Sequence, residues 1–148
     1  MKFIIDSREQ QPYTEYFEKL SYKYEVKALP IGDYSIEGHP EFAIERKTLD
    51  DFITSITRER DRFERELVKT KELAYFAVVI ECSIYDIQNR HYHSKIHPHT
   101  ILANLFSLMV KYKIPFLFVE SRTGGALAVI EMSKAYLKYY GENNGKQQ

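Results

Sequence analysis

Two carboxylates and an ammonium group are concentrated in the stretch GDYSIEGHPEFAIERK, with Asp33 near its start and Glu45 and Lys47 at its end. In an extended chain, side chains two apart project to the same face, so Glu45 and Lys47 point together while Ile44 and Arg46 point the other way. Gly38, His39 and Pro40 supply a turn between the halves, folding SIEG back on EFAIERK and bringing Asp33 up near Glu45. Two carboxylates suit a hard divalent cation, Mg²⁺ or Mn²⁺, which lowers the pKa of a bound water. A neighbouring lysine suits the charge that develops on an attacked phosphate. The chemistry implied is metal-dependent hydrolysis of a phosphodiester. The competing reading is structural: Asp33 caps the turn after Gly32, and Glu45 with Lys47 is an exposed ion pair of little worth.

Three further groups are candidates. Asp6, Arg8 and Glu9 follow the apolar run KFII. They suit a second cation and a two-pronged phosphate contact, or else a local surface ion network. Asp51 is the third helical position behind Thr48 as N-cap, so a capping-box role competes with a catalytic one. His91, His93, His97 and His99 share one segment with Arg90 and Lys95. Zinc, a phosphate-touching basic loop and ordinary surface are its three readings, and Tyr92 beside it could stack on an unpaired base.

The elements that must position these residues follow from periodicity. KFIID reads as a first strand, residues 13–24 as a helix, and YEVKALP as a strand leading to Gly32. From Thr48 one long helix is expected, with Leu49, Phe52, Ile53, Ile56, Phe63 and Leu67 on one face and Arg60 inside that stripe. Arg58, Arg62, Arg65 and Lys69 form a basic row interleaved with acidic residues, which also describes a solvated face laced with i,i+4 pairs. YFAVVIEC and PFLFVES are apolar enough for strands covered on both faces. Between them DIQNRHYHSKIHPHT is expected as a loop before a helix over 98–112, and RTGG as a turn before a last helix over 126–140. The expected arrangement is one α/β domain over 1–140, a mixed central sheet flanked by helices, with a polar, flexible tail over 141–148.

Twenty-one basic and twenty-one acidic side chains cancel, so any nucleic-acid binding must come from local charge. The single cysteine, Cys82, excludes an internal disulfide framework and fits a reducing compartment. The apolar start MKFII is too short for a signal peptide and no run approaches a membrane span, so a soluble, cytoplasmic protein is expected.

In order and context, these residues resemble the XPF-type structure-specific endonucleases, a branch of the PD-(D/E)XK restriction-enzyme-like nucleases. Asp6-Ser7-Arg8-Glu9 resembles that family's D-x-R-E, Gly32-Asp33-Tyr34 its G-D-Y, and Glu45-Arg46-Lys47 with Asp51 its E-R-K-x-x-x-D. Ser55-Ile56 and Arg60 stand where the family has S-[IL] and the arginine of a G-R pair, with Glu59 replacing the glycine and Glu64 a common glutamine. The resemblance implies a restriction-endonuclease-like fold and a Mg²⁺- or Mn²⁺-dependent endonuclease hydrolysing DNA at branched or other non-B structures, such as forks, flaps or single-strand/double-strand junctions. A homodimer through the two C-terminal helices is also implied. The metal ligands would be Asp33, Glu45, the backbone carbonyl of Arg46, and Asp6. Lys47, Arg8, Glu9 and Asp51 would complete the catalytic set, and Arg8, Arg46 and Arg60 would contact nucleic acid. The alternative is a non-catalytic nuclease-fold module that binds DNA or a partner.

Overall fold

Six apolar segments become strands: β1 (Lys2–Ile5), β2 (Lys23–Val26), β3 (Tyr34–Ile36), β4 (His39–Lys47), β5 (Tyr75–Ile80) and β6 (Phe116–Phe118). In the computed structural model, which describes residues 1–141, they form one sheet in the order β2-β1-β3-β4-β5-β6. β3 runs antiparallel to both β1 and β4, while β2, β5 and β6 pair in parallel with their neighbours. The sheet is therefore mixed. The polar tail expected over 141–148 lies, from residue 142 onward, outside the described residues.

Strand alternation divides the core in two. Ala43 of β4 and Val78 of β5 face a cluster with Phe52, Phe63 and Leu105, supplied by α2 (Leu49–Ile56), α3 (Arg60–Lys69) and α5 (Pro98–Tyr112). Phe42, Ile44 and Val79 face the other cluster, with Phe17 and Val129 from α1 (Thr14–Lys19) and α6 (Arg122–Tyr140). Helices on both faces explain why β5 is almost uninterruptedly apolar.

The strands expected over YEVKALP and PFLFVES shorten to β2 and β6, and four further boundaries move, each for a local reason. The helix expected over 13–24 stops at Lys19, because Ser21 adopts a left-handed φ of 62° and the chain turns into β2, which pairs with β1. The single long helix from Thr48 is two: Thr57 leaves helical geometry at φ −114° and ψ −93°, and its hydroxyl donates back to the Ile53 carbonyl at 2.7 Å. The expected loop begins with a short helix, α4 (Ile84–Gln88), opened by a capping box between Ser83 and Asp86.

RTGG is the first turn of α6 and not a turn before it. Ser121 accepts from the Gly124 amide at 3.2 Å as N-cap. A Cβ on Gly125 would lie 2.0 Å from the Tyr13 hydroxyl, so the absent side chain lets α6 close over a fully buried tyrosine. Gly125→Ala is expected to destabilise the fold by about 1–3 kcal/mol through overpacking, read as a lower urea midpoint. Among the described residues, no helix is long and apolar enough to cross a membrane.

Candidate active site

The ends of β1 and β4, the turn before β3 and one face of α3 enclose a cavity of about 610 Å³, lined by Arg8, Glu9, Asp33, Glu45, Lys47 and Glu66 among others. Asp33 is clamped from three sides. Its amide donates to the Ile44 carbonyl at 2.9 Å, its carbonyl accepts from the Asp6 amide at 2.8 Å, and its Oδ2 accepts from the Arg46 amide at 2.8 Å. The turn that allows this needs Gly32, which has φ 79° and sits where a Cβ would approach Ala43 Cβ to 3.0 Å. Gly32→Ala is expected to cost about 1–3 kcal/mol in backbone strain and to displace Asp33, read as a lower urea midpoint.

Glu45 and Lys47 share the face of β4 that carries Ala43, and their Oε2 and Nζ lie 3.6 Å apart. They are only 19% and 16% exposed, with the Lys47 ammonium 5.1 Å from the centre of the Phe63 ring. An exposed surface pair does not describe them. Desolvation raises the Asp33 carboxyl to about 8, reinforced by the charges of Glu45 and Glu9. Glu45 is raised in the same sense by burial, and Glu66 and Glu9 add to it against the opposing effect of Lys47. These are carboxylates short of positive charge.

Glu9 adds a third. Its side chain is 6% exposed, and its Oε1 accepts from Arg46 Nη1 and from the Gln11 amide, each at 3.3 Å. Its Oε2 is buried with no hydrogen-bond partner in the protein. An orphaned carboxylate oxygen beside two carboxyls with raised pKa fits a hard divalent cation or its bound water. Among the described residues no three His, Cys, Asp or Glu side chains are grouped to hold a metal. The fitting set is thus Asp33 and Glu45 with a backbone oxygen, completed by solvent toward which Glu9 Oε2 is free to accept. Successive strand carbonyls alternate in direction, so the Arg46 carbonyl faces the edge where the Ile44 carbonyl meets Asp33.

The remaining candidates are placed differently from one another. Asp6 is 3% exposed and tied to Arg8 Nε at 2.9 Å and to the Leu29 amide at 2.8 Å. Burial alone would raise its pKa, but the bonds from Arg8 and Leu29 prevail and hold it below the usual value. Its oxygens lock the β1 end to the segment before Gly32, which leaves them less free for a cation than those of Asp33. Arg8 is 72% exposed, and its Nη1 makes none of the bonds to Asp6 or the Leu29 carbonyl. That edge can meet a phosphate. Asp51 gives its amide to the Thr48 hydroxyl at 3.1 Å while its side chain lines the cavity, so capping occupies the backbone and leaves the carboxylate.

Two arginines are engaged elsewhere. Arg60 bonds Glu64 at 2.9 Å and Asn104 of α5, Glu64 in turn meets Lys111 and Tyr112, and neither Arg60 nor Glu64 lines the cavity. Arg62 and Glu66, two positions on and with the same spacing, do line it. Phe63 enters the core from between them, which sets the helix face. Arg46 points through the sheet to its other side, where it is 7% exposed and bonded to Glu81 and Glu9. Its guanidinium meets the site only through Glu9, while its backbone amide holds Asp33.

The histidines disperse. His91 bonds Asp86 at 2.9 Å, His93 bonds Asp50 at 2.7 Å, and His97 accepts from the His99 amide at 3.1 Å to cap α5. Tyr92 donates to the Ile96 carbonyl and packs on the core, so its ring is not displayed for stacking. Glu81, Glu66 and Tyr13 are site-region residues that no motif marked. Only Glu81 had a local signal, as the one charge directly after the apolar run of β5.

Comparison with known proteins bears on this geometry. Two solved structures, XPF from Aeropyrum pernix and the same protein in complex with DNA, match at TM-scores of 0.74 and 0.72 with 22% and 21% identity. They cover 91% and 93% of this chain, which spans 61% and 65% of theirs. A protein of Methanocaldococcus jannaschii named as an ATP-dependent RNA helicase is 25% identical over 90% of this chain, which accounts for 15% of that relative's length. Residues 5–127 match the ERCC4 domain, a span that begins in β1, takes in every wall of the cavity and ends in α6. Because the family model covers most of the chain, the chain belongs to the ERCC4 domain family.

Proposed function

We propose that residues 1–140 form a divalent-metal-dependent endonuclease domain that hydrolyses DNA phosphodiester bonds at branched or other non-B structures, including single-strand/double-strand junctions. The observation that carries this reading is the half-buried pair Asp33 and Glu45, with Lys47 on the same face, at the floor of an open cavity. When bound, Mg²⁺ or Mn²⁺ supplies positive charge against the phosphate and acidifies a water. Asp33, Glu45 and the Arg46 carbonyl would hold it. Lys47, confined by Phe63 and Glu45, holds the attacking water or balances charge on the non-bridging oxygens. Asp51 carries a free carboxylate at the cavity wall for the same water or its proton.

Phosphate contacts fall to Arg8 at the cavity mouth and to the α3 side. Arg58, Arg65 and Lys69 have no ion-pair partner among the described residues, and Lys69 and Arg62 line the cavity. A chain of zero net charge thus keeps an uncompensated basic edge next to its acidic site. The solved Aeropyrum pernix complex with DNA supports the choice of partner. Phe106 and Val110 on α5 and Leu127 on α6 are exposed, which supports a homodimer through these helices. The deciding experiment is incubation of labelled forks, flaps, junctions and linear duplex with the protein, with and without Mg²⁺. Metal-dependent cutting of branched substrates is the expected result. Binding without cutting under any divalent cation would instead assign a non-catalytic DNA-binding module.

A further inference from the structure

We infer that Glu81 is a positioning residue of the active site, acting through Arg46 to keep Glu9 available to the cation. The inference rests on the nuclease reading above. Arg46 sits between the two: its Nε and Nη2 donate to the two oxygens of Glu81 at 2.9 and 3.1 Å, while its Nη1 reaches Glu9 Oε1 at 3.3 Å. The same residue's amide holds Asp33 Oδ2 at 2.8 Å. One arginine is therefore tied to two of the three half-buried carboxylates Glu9, Asp33 and Glu45 of the cavity.

The geometry is asymmetric in a way that matters. A guanidinium pairs best with a carboxylate through two parallel bonds, and Glu81 takes that arrangement. Glu9 receives a single, longer bond and retains Oε2 without any protein partner. Were Glu81 neutral, Glu9 would become the nearest carboxylate for a guanidinium that is 7% exposed and cannot turn to water. The fork would close on both Glu9 oxygens and remove that carboxylate from the cavity.

Glu81 is itself held firmly. Tyr13 donates to its Oε2 at 2.6 Å, and its amide donates to the Lys47 carbonyl at 2.9 Å. Tyr13 stacks on Tyr34 at 5.3 Å with planes 10° apart, and Arg122 lies over its ring at 5.1 Å. The end of β5 thereby braces the end of β4 from the side of the sheet away from the cavity.

The test compares wild type with Glu81→Gln, which keeps an acceptor for Tyr13 but loses the charge. Mn²⁺ binding is followed by the loss of the free-ion electron paramagnetic resonance signal, and cleavage by the Mg²⁺ concentration at half-maximal rate. Both midpoints are expected to rise about 10–100-fold, as for outer partners of metal ligands, while KM for DNA and the rate at saturating cation stay within about 3-fold. Glu81→Asp, which keeps the charge, is expected to recover most of the Mn²⁺ affinity. If Glu81→Gln fails to fold, Glu9→Gln takes its place: its Mn²⁺ midpoint is expected to rise by the same factor, and an unchanged midpoint overturns the role of Glu9 and with it that of Glu81. Unchanged midpoints in a folded Glu81→Gln overturn the positioning role and leave the nuclease reading standing. So does a loss of affinity in Glu81→Asp as large as in Glu81→Gln. A wild type that binds Mn²⁺ but cuts nothing overturns the nuclease reading, and the Mn²⁺ comparison still decides the role of Glu81. A wild type that binds no Mn²⁺ overturns both.

Discussion

Asp33→Asn and Lys47→Ala are each expected to lower Mg²⁺-dependent cleavage by at least about 10³-fold, equivalent to roughly 4 kcal/mol of barrier. Asparagine keeps the shape of Asp33, and its amide oxygen can still accept from the Arg46 amide, so the clamp between β1 and β4 survives. What is lost is the charge that a hard cation requires. Lys47→Ala removes a cation from a mostly buried position beside Glu45, where a charge opposite a developing anion counts for more than it would in water. Neither change touches Arg8 or the α3 edge, so affinity for a branched substrate should stay within about 10-fold, a change of roughly 1.4 kcal/mol. Cleavage assays, circular dichroism and fluorescence anisotropy on the purified variants separate chemistry from folding and binding. Undiminished cutting by both variants would sink the proposed mechanism.

The second large effect is a stability that depends jointly on pH and on divalent cation. A carboxyl whose pKa is about 8 when folded and about 4 when unfolded binds its proton more tightly in the native chain. Its stabilising contribution is complete below the unfolded value and is lost as pH rises through the folded one. Without cation the protein should therefore weaken from about pH 4 to pH 8, with Glu45 contributing in the same direction. Cation binding needs the deprotonated forms, so it opposes the loss at pH 8 and adds little at pH 5. At saturating Mg²⁺ the gain at pH 8 should be about 2–3 kcal/mol, or an upward shift in Tm of about 5–10 °C. Asp33→Asn removes the group, so its Tm without cation should exceed wild type at pH 8 and respond weakly to Mg²⁺. Asp6 works in the opposite direction: held below its usual value by Arg8 and Leu29 despite its burial, it stabilises above about pH 4 and is lost on acidification. Thermal melts from pH 2 to 9, with and without Mg²⁺, check both arms. A flat profile with no response to cation at pH 8 would refute the buried-carboxylate account.

The juxtaposition of Asp33, Glu45 and Lys47 was legible because it depends on short-range rules. A period of two places Glu45 and Lys47 on one face of β4, and a turn at Glu37 and Gly38, tighter than expected because His39 and Pro40 already belong to β4, folds Asp33 back beside that strand. Mixed-sheet architecture followed from where the apolar runs fall and how helical segments separate them. Asp51 is ambiguous between cap and catalyst in the sequence, and the structure places its amide in the cap and the residue at the cavity wall.

Other duties depend on partners far along the chain. Arg46 reads as a phosphate contact in its motif, yet its side chain is committed to Glu81, thirty-five positions on, because parallel pairing of β4 with β5 brings both strand ends together beneath Tyr13. Arg60 reads as the site arginine, whereas the break at Thr57 rotates α3 so that Arg62 and Glu66 line the cavity and Arg60 meets α5. Asp6 has the residue type of a metal ligand, but the Leu29 amide and Arg8 occupy it. The sequence alone determined which side chains strand and turn geometry would gather. Only the tertiary structure decided which charges face the cavity and which neutralise one another behind the sheet, because that partition depends on the pairing of distant strands and on how far each charge is removed from water.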